Sequence, residues 1–258
     1  MNINNDFNQV FLKIITSLNE NRSFLALRYG DGEAILLKNN EKNIVEHIFS
    51  RQLNEILKKE SIEEIRKNLI ETINNADLLG IPTEYHLSLG SCWTESLNIL
   101  KIYCNIKTTD FGSIDFHYEF LRNWESRESC YDKLLLNRQD LYIISCRDLA
   151  RQFSKRFNIT NVQFIPVPPE MMFEEKRYRS KHYPDRFLEI QQIIKNLGDL
   201  KGKLLLYGSG FVGKIYGLFW KNQGGVAVDI GSVFDVFAGK DTRGPNCSPT
   251  TIKTTYKV

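Results

Sequence analysis

The order of elements along this chain predicts an α/β fold with a largely parallel sheet covered by helices on both faces. Short apolar runs alternate with longer stretches of helical period, and strands alternating with helices bury a parallel sheet on both sides. Hydrophobic residues make up 42% of the 258 and aromatic residues 12%, enough for a true core. Residues 1–240 read as one domain, since no repeat, low-complexity segment or linker divides them, and 241–258 read as a C-terminal extension.

Residues 7–19 place Phe7, Val10, Phe11, Ile14, Ile15 and Leu18 at helical spacing. A strand follows at 23–28. Helices are expected over 44–59 and 61–76, the second with a stripe of Ile62, Ile65, Leu69 and Ile73. A buried strand at 78–82 ends on Pro82. Next come a helix at 92–103, a strand at 107–111 and an aromatic helix at 115–124. A strand at 141–146 leads into a basic helix at 147–157, and another strand at 162–167 is closed by Pro168 and Pro169. The charged, aromatic stretch 170–184 has no clean period and reads as a loop. A helix at 185–197, a strand at 203–207, a helix at 213–222 and a strand at 226–230 complete the chain.

The net charge of +3, from 34 basic and 31 acidic residues, is too balanced for a dedicated nucleic-acid binder but compatible with an anionic small molecule. Five cysteines without a Cys-x-x-Cys pair favour reduced thiols in the cytosol. The first residues lack the basic and apolar regions of a signal peptide, and no apolar run approaches the ~20 residues of a membrane helix. A cytoplasmic location is expected. Peripheral attachment to the inner face of a membrane and a homodimer are both compatible with it.

Two segments carry candidate chemistry. In Arg28-Tyr29-Gly30-Asp31-Gly32-Glu33, two carboxylates stand two residues apart, each preceded by a glycine. In a helix such residues point in different directions, so the glycines suggest a loop in which they converge and Gly30 and Gly32 let backbone approach a ligand. Converging carboxylates suit a hard divalent cation, Mg²⁺ or Mn²⁺, completed by substrate phosphates and water. Arg28 would add its planar fork. The alternative is a Gly-Asp-Gly turn with a solvated glutamate.

The second segment, Gly208-Ser209-Gly210-Phe211-Val212-Gly213-Lys214, follows a strand and opens a helix, where backbone N–H groups and the helix dipole favour a phosphate. Gly208, Gly210 and Gly213 fit a dinucleotide fingerprint, and Asp229 ends the next strand where a ribose-binding acid would sit. Only about 45 residues follow Gly213 in the chain of 258, too few for a second mononucleotide half. A P-loop would need a hydroxyl after Lys214, and Ile215 has none. A tight turn needing small residues, or half of a nucleotide-sugar site, are the other readings.

Together with Val228-Asp229-Ile230-Gly231-Ser232-Val233-Phe234-Asp235, these segments resemble the GT-D glycosyltransferases, whose domain was catalogued as DUF1792. The resemblance runs from about residue 20 to 240. It implies a Rossmann-like, GT-D type fold and a metal-dependent transfer of a hexose from a nucleotide sugar, a UDP-sugar, to a glycan, lipid-linked saccharide, glycolipid or glycoprotein. Asp31 and Glu33 match the family's Asp-x-Glu motif, which binds a divalent metal (Mn²⁺ or Mg²⁺) and the donor diphosphate, with Arg28 and Gly30 flanking. Ser145-Cys146-Arg147-Asp148 and Pro166-Val167-Pro168-Pro169-Glu170 look like the family's strand-end positions.

On that reading Arg147 joins Arg28 in binding phosphate, while Gly208, Gly210, Gly213 and Lys214 line the donor pocket. A base for the acceptor hydroxyl is sought among Asp235, Asp115 and Glu119, with His117 and His86 further back. The aromatic run Phe116-His117-Tyr118-Phe120-Trp124 is either core or a stacking surface. Two rivals remain, a Rossmann-type NAD(P)-dependent oxidoreductase built on the C-terminal glycines and a non-catalytic module that binds nucleotide sugars.

Overall fold

The computed structural model describes residues 6–38, 53, 57–105, 110–123, 126–169 and 182–240. Helix α1 (Phe7–Asn19) buries Val10, Ile14 and Leu18, and Asp6 caps its start by accepting from Asn8 N. Strand β1 (Phe24–Arg28) then leads into α2 (Asp31–Lys38), α3 (Lys59–Asn74) and β2 (Leu78–Ile81). Helices α4 (Glu84–Leu89) and α5 (Ser91–Tyr103) precede β3 (Asp110–Ser113), short α6 (Phe116–Glu119) and α7 (Cys130–Leu135). The remainder is β4 (Asp140–Ser145), α8 (Ala150–Phe157), β5 (Asn161–Pro166), α9 (Phe187–Asn196), β6 (Leu204–Gly208), α10 (Gly210–Asn222), β7 (Val226–Asp229) and α11 (Val233–Phe237).

The seven strands form one sheet in the order β3-β2-β1-β7-β6-β4-β5, and every neighbouring pair is parallel. Alternate strand residues point to opposite faces, and each face has its own core. Leu25, Leu27, Leu205 and Ala227 meet α2, α3, α5, α9 and α10 on one side. Phe24, Ala26, Leu206 and Val228 meet α1, α6, α7, α8 and α11 on the other. This is the two-faced parallel architecture that the alternation of strands and helices predicts.

The chain leaves β1 for one face, through α2, and leaves β7 for the other, through α11. These two strands lie side by side. Where adjacent strands send their next segments apart, a crevice opens at the carboxyl edge, which is where open α/β sheets bind ligands.

Several elements differ from expectation: α4 and α7 are unexpected, and α10 begins at Gly210 rather than 213. The acidic segment is a helix from Asp31 onward, not a loop. Glu33 folds back to accept from Gly30 N at 2.9 Å, as the third residue of a capping box does, and Ala34, Leu36 and Leu37 bury the next turn. The aromatic helix is only four residues long, and Asn123 beyond it takes φ 65°. The basic helix starts at Ala150, with the residues just before it in a turn, so Arg147 precedes the helix. Most of the expected helix 44–59, most of the loop 170–184 and all of 241–258 lie outside the described residues. Burial pushes the Cys104 thiol up to about 12 and that of Cys130 to about 11, which keeps both protonated. Among the described residues no helix is long and apolar enough to cross a membrane.

Candidate functional site

Three segments far apart in sequence meet at the carboxyl ends of β1 and β7. Asp229, the last residue of β7, is buried and accepts from two cations. Arg28 Nη2 reaches its Oδ1 at 3.1 Å and Lys214 Nζ its Oδ2 at 3.1 Å. Lys214, in the second turn of α10, also lies 3.0 Å from Glu33 Oε1. Two cations and two carboxylates therefore neutralise one another in a single buried chain, Glu33–Lys214–Asp229–Arg28.

Burial opposes the charges of Arg28, Lys214 and Asp229, but their partners win. The largest influence on Arg28 and Lys214 is desolvation, which lowers their affinity for a proton. Attraction to Asp229, with Glu33 adding to it, outweighs that and leaves both pKa values raised. Desolvation likewise pushes Asp229 upward, and Arg28 and Lys214 together hold it below the ordinary carboxylate range. The ring nitrogen Nε2 of His117 accepts from Arg28 Nη1 at 2.7 Å; a guanidinium only donates, so this nitrogen carries no proton.

A glycine makes room for this arrangement. Gly231 has φ +44°, and a Cβ there would stand 1.8 Å from Arg28 Nη2. The glycine of Asp229-Ile230-Gly231 is thus required twice over, by its backbone and by the guanidinium packed on it. Its role escaped the sequence reading, although a glycine two residues past a strand-terminal aspartate was the available signal.

The other candidates fall into place around this core. Asp31 is exposed in the first turn of α2, and its Oδ1 accepts from Gly32 N at 2.9 Å. Helical geometry sends it outward while Glu33 turns in to Lys214, so the two carboxylates do not converge as a loop would have allowed. Lys214 is neither solvated nor reaching outward; its side chain is 5% exposed. Gly208 and Gly213 are packing positions. A Cβ at 208 would meet Gly231 O at 2.7 Å, and one at 213 would meet Ser209 Oγ at 2.5 Å. Gly210 opens α10 with φ +58°. Arg147 Nε donates to Asp235 Oδ1 at 2.7 Å, tying the end of β4 to α11.

Toward β2 and β3 the edge is more open. The side chain of Asp115 is 35% exposed and its Oδ2 lies 3.0 Å from His86 Nε2, while His86 Nδ1 accepts from Thr83 N at 3.2 Å. Glu119 pairs with Arg122 at 2.6 Å. Among the described residues no group of three or more His, Cys, Asp or Glu is arranged to hold a metal. A magnesium-type ion needs only one or two carboxylates beside phosphates and water; of this pair only Asp31 is open to one, since Glu33 is taken up by Lys214 and Gly30 N.

No protein-family model and no curated protein matches the chain. Solved structures do. A glycosyltransferase (DUF1792) from Streptococcus sanguinis is similar over 88% of this chain and 82% of its own, with a TM-score of 0.57 at 16% identity. A structure of domain of unknown function 1792 with "a distinct glycosyltransferase fold" is similar over 88% and 79%, with a TM-score of 0.54 at 16% identity. A selenomethionine-substituted structure of that domain gives 0.55 at 15% identity over the same shares. Seven parallel strands in one sheet, flanked on both faces and superposing over most of their length on these structures, give this chain the DUF1792 glycosyltransferase fold.

Proposed function

We propose that the protein is a glycosyltransferase that moves a hexosyl group from a nucleotide sugar, a UDP-sugar, to a saccharide-bearing acceptor. One observation carries this reading: an exposed Asp31 and a partly open Arg28 stand together at the carboxyl edge where β1 and β7 part, in a chain with this fold. Loss of a diphosphate leaving group builds negative charge, so catalysis rests on groups fixed in advance to receive it. Arg28, 19% exposed and oriented by Asp229, His117 and Gly231, offers one charge-assisted donor without reorganising.

Asp31 would hold Mg²⁺ or Mn²⁺, which supplies neutralising charge to the diphosphate, while Glu33 fixes the turn that presents Asp31. Lys214 and Asp229 act behind them by keeping Glu33 and Arg28 in place. Asp115, oriented by His86 and half-open to solvent, is the carboxylate that takes the proton of the acceptor hydroxyl. The acceptor oxygen bonds to the anomeric carbon, the bond from that carbon to the diphosphate breaks with its electrons, and the proton passes to Asp115.

Because Asp229 is held by Arg28 and Lys214, the NAD(P) reading lacks its ribose acid. The test is thermal-shift titration of UDP-sugars and NAD(P) with and without Mn²⁺, followed by release of free UDP. Asp31→Ala should keep its melting temperature and lose about a hundredfold in turnover. An NAD(P) shift that persists in Asp31→Ala, with none from any UDP-sugar, would sink the transferase.

A further inference from the structure

A cavity of about 470 Å³ opens at the carboxyl ends of β2 and β3, beside the charged chain rather than over it. Its walls come from the start of α1, the turn into α4, the end of β3 and α6. We propose that this cavity seats the acceptor as a neutral saccharide ring; the acceptor role rests on the transferase reading above.

The lining selects the ligand. Tyr85, two-thirds exposed, stands with the partly exposed Phe7 as aromatic surface, backed by the buried Phe116 ring, onto which the C–H face of a sugar ring packs. Thr83, Ser113 and Glu119 add hydroxyl and carboxylate groups for ring hydroxyls. The arginine of the lining, Arg122, is engaged: it pairs with Glu119 and lies 4.9 Å from the Phe7 ring centroid. With Glu84 also present, the lining is weakly acidic, which disfavours a diphosphate and suits an uncharged polyhydroxyl group.

Position supports the same assignment. Phe116 faces the cavity, while the next residue, His117, accepts from Arg28 in the charged chain, so four-residue α6 separates the two sites. Asp115 lies between Ser113 and Phe116 of the lining. An acceptor in the cavity would therefore stand beside the proposed proton acceptor and next to the donor.

Saturation-transfer NMR on the full chain, with methyl glycosides of glucose, galactose and N-acetylglucosamine, tests this without donor or metal. At least one glycoside should give signal, weakened about tenfold in both Tyr85→Ala and Glu119→Ala. Tyr85 lies at the surface and Glu119 is partly exposed, and circular dichroism checks that the variants stay folded. Thermal shifts with a panel of UDP-sugars, each with Mn²⁺, are measured alongside. A UDP-sugar shift with no glycoside signal, or with signal unchanged in both variants, overturns the cavity and leaves the transferase standing. Signal lost in both variants, with no shift from any UDP-sugar in the parent in the presence of Mn²⁺, upholds a saccharide site and sinks the transferase.

Discussion

The carboxyl edge of the sheet has two halves that treat charge in opposite ways. At β1 and β7, Glu33, Lys214 and Asp229 are buried and paired with one another, and the partly exposed Arg28 closes the chain on Asp229. At β2 and β3, Asp115 and Glu119 are partly open, each with one cationic or imidazole partner and a cavity alongside. The first half is scaffold that orients Arg28 toward whatever binds; the second keeps its polar groups available. A buried ion pair is poor evidence of net stabilisation, yet breaking one is costly, because it strands a charge out of water.

The contrast predicts a gradient of mutational effects. The largest belongs to Asp229→Asn, which leaves Arg28 and Lys214 without their shared carboxylate and should cost roughly 3–5 kcal/mol in chemical denaturation. A loss below 1 kcal/mol would mean that the chain of charges is not structural. Acid sensitivity follows from the same residue. Its folded pKa lies below the unfolded 3.8, so its contribution is present above about pH 3.8 and is lost as pH falls through the lower folded value. For Lys214, raised above 10.5, the contribution is full below 10.5 and disappears as pH climbs through the folded value. The stability–pH curve of Asp229→Asn should therefore be flatter in acid than that of the parent.

Gly231→Ala comes next. It forces a positive φ on alanine and pushes on Arg28, for an expected loss of about 1–3 kcal/mol by thermal or chemical melting. If an Arg28→Ala background fails to recover any of that loss, the guanidinium contact is not its source. Smallest is Asp115→Asn, expected to change stability by less than about 0.5 kcal/mol while reducing transfer to a saccharide. A large fall in its melting temperature would place Asp115 with the scaffold half instead.

The fold was legible in the sequence for a physical reason. Strands buried on both faces are continuous apolar runs, as in 204–207 and 226–228, and no other element needs them. The acidic segment was misjudged because two glycines argue locally for a loop, whereas a carboxylate in the first turn and the buried Ala34, Leu36 and Leu37 carry the helix. Sequence spacing marked Asp31, Glu33 and Asp229 as notable. It gave no sign that Lys214 lies between Glu33 and Asp229, since α2, α10 and β7 meet only through tertiary packing. The cavity at β2 and β3 was equally hidden, because its walls come from α1, the turn into α4, β3 and α6.

The pairing of β1 with β7 also has a temporal meaning. Phe24 opposite Val226 is among the longest-range contacts in the chain, and loop closure on that scale is slow. During synthesis Arg28 and Glu33 emerge first and wait, water-bound, for counter-charges borne by β7 and α10. The charged half of the edge thus forms only after those two elements have left the ribosome and docked, whereas the contact of β2 with β3 closes over a much shorter span. A stalled or truncated chain would expose the pairing edge of β1, a ready template for another strand.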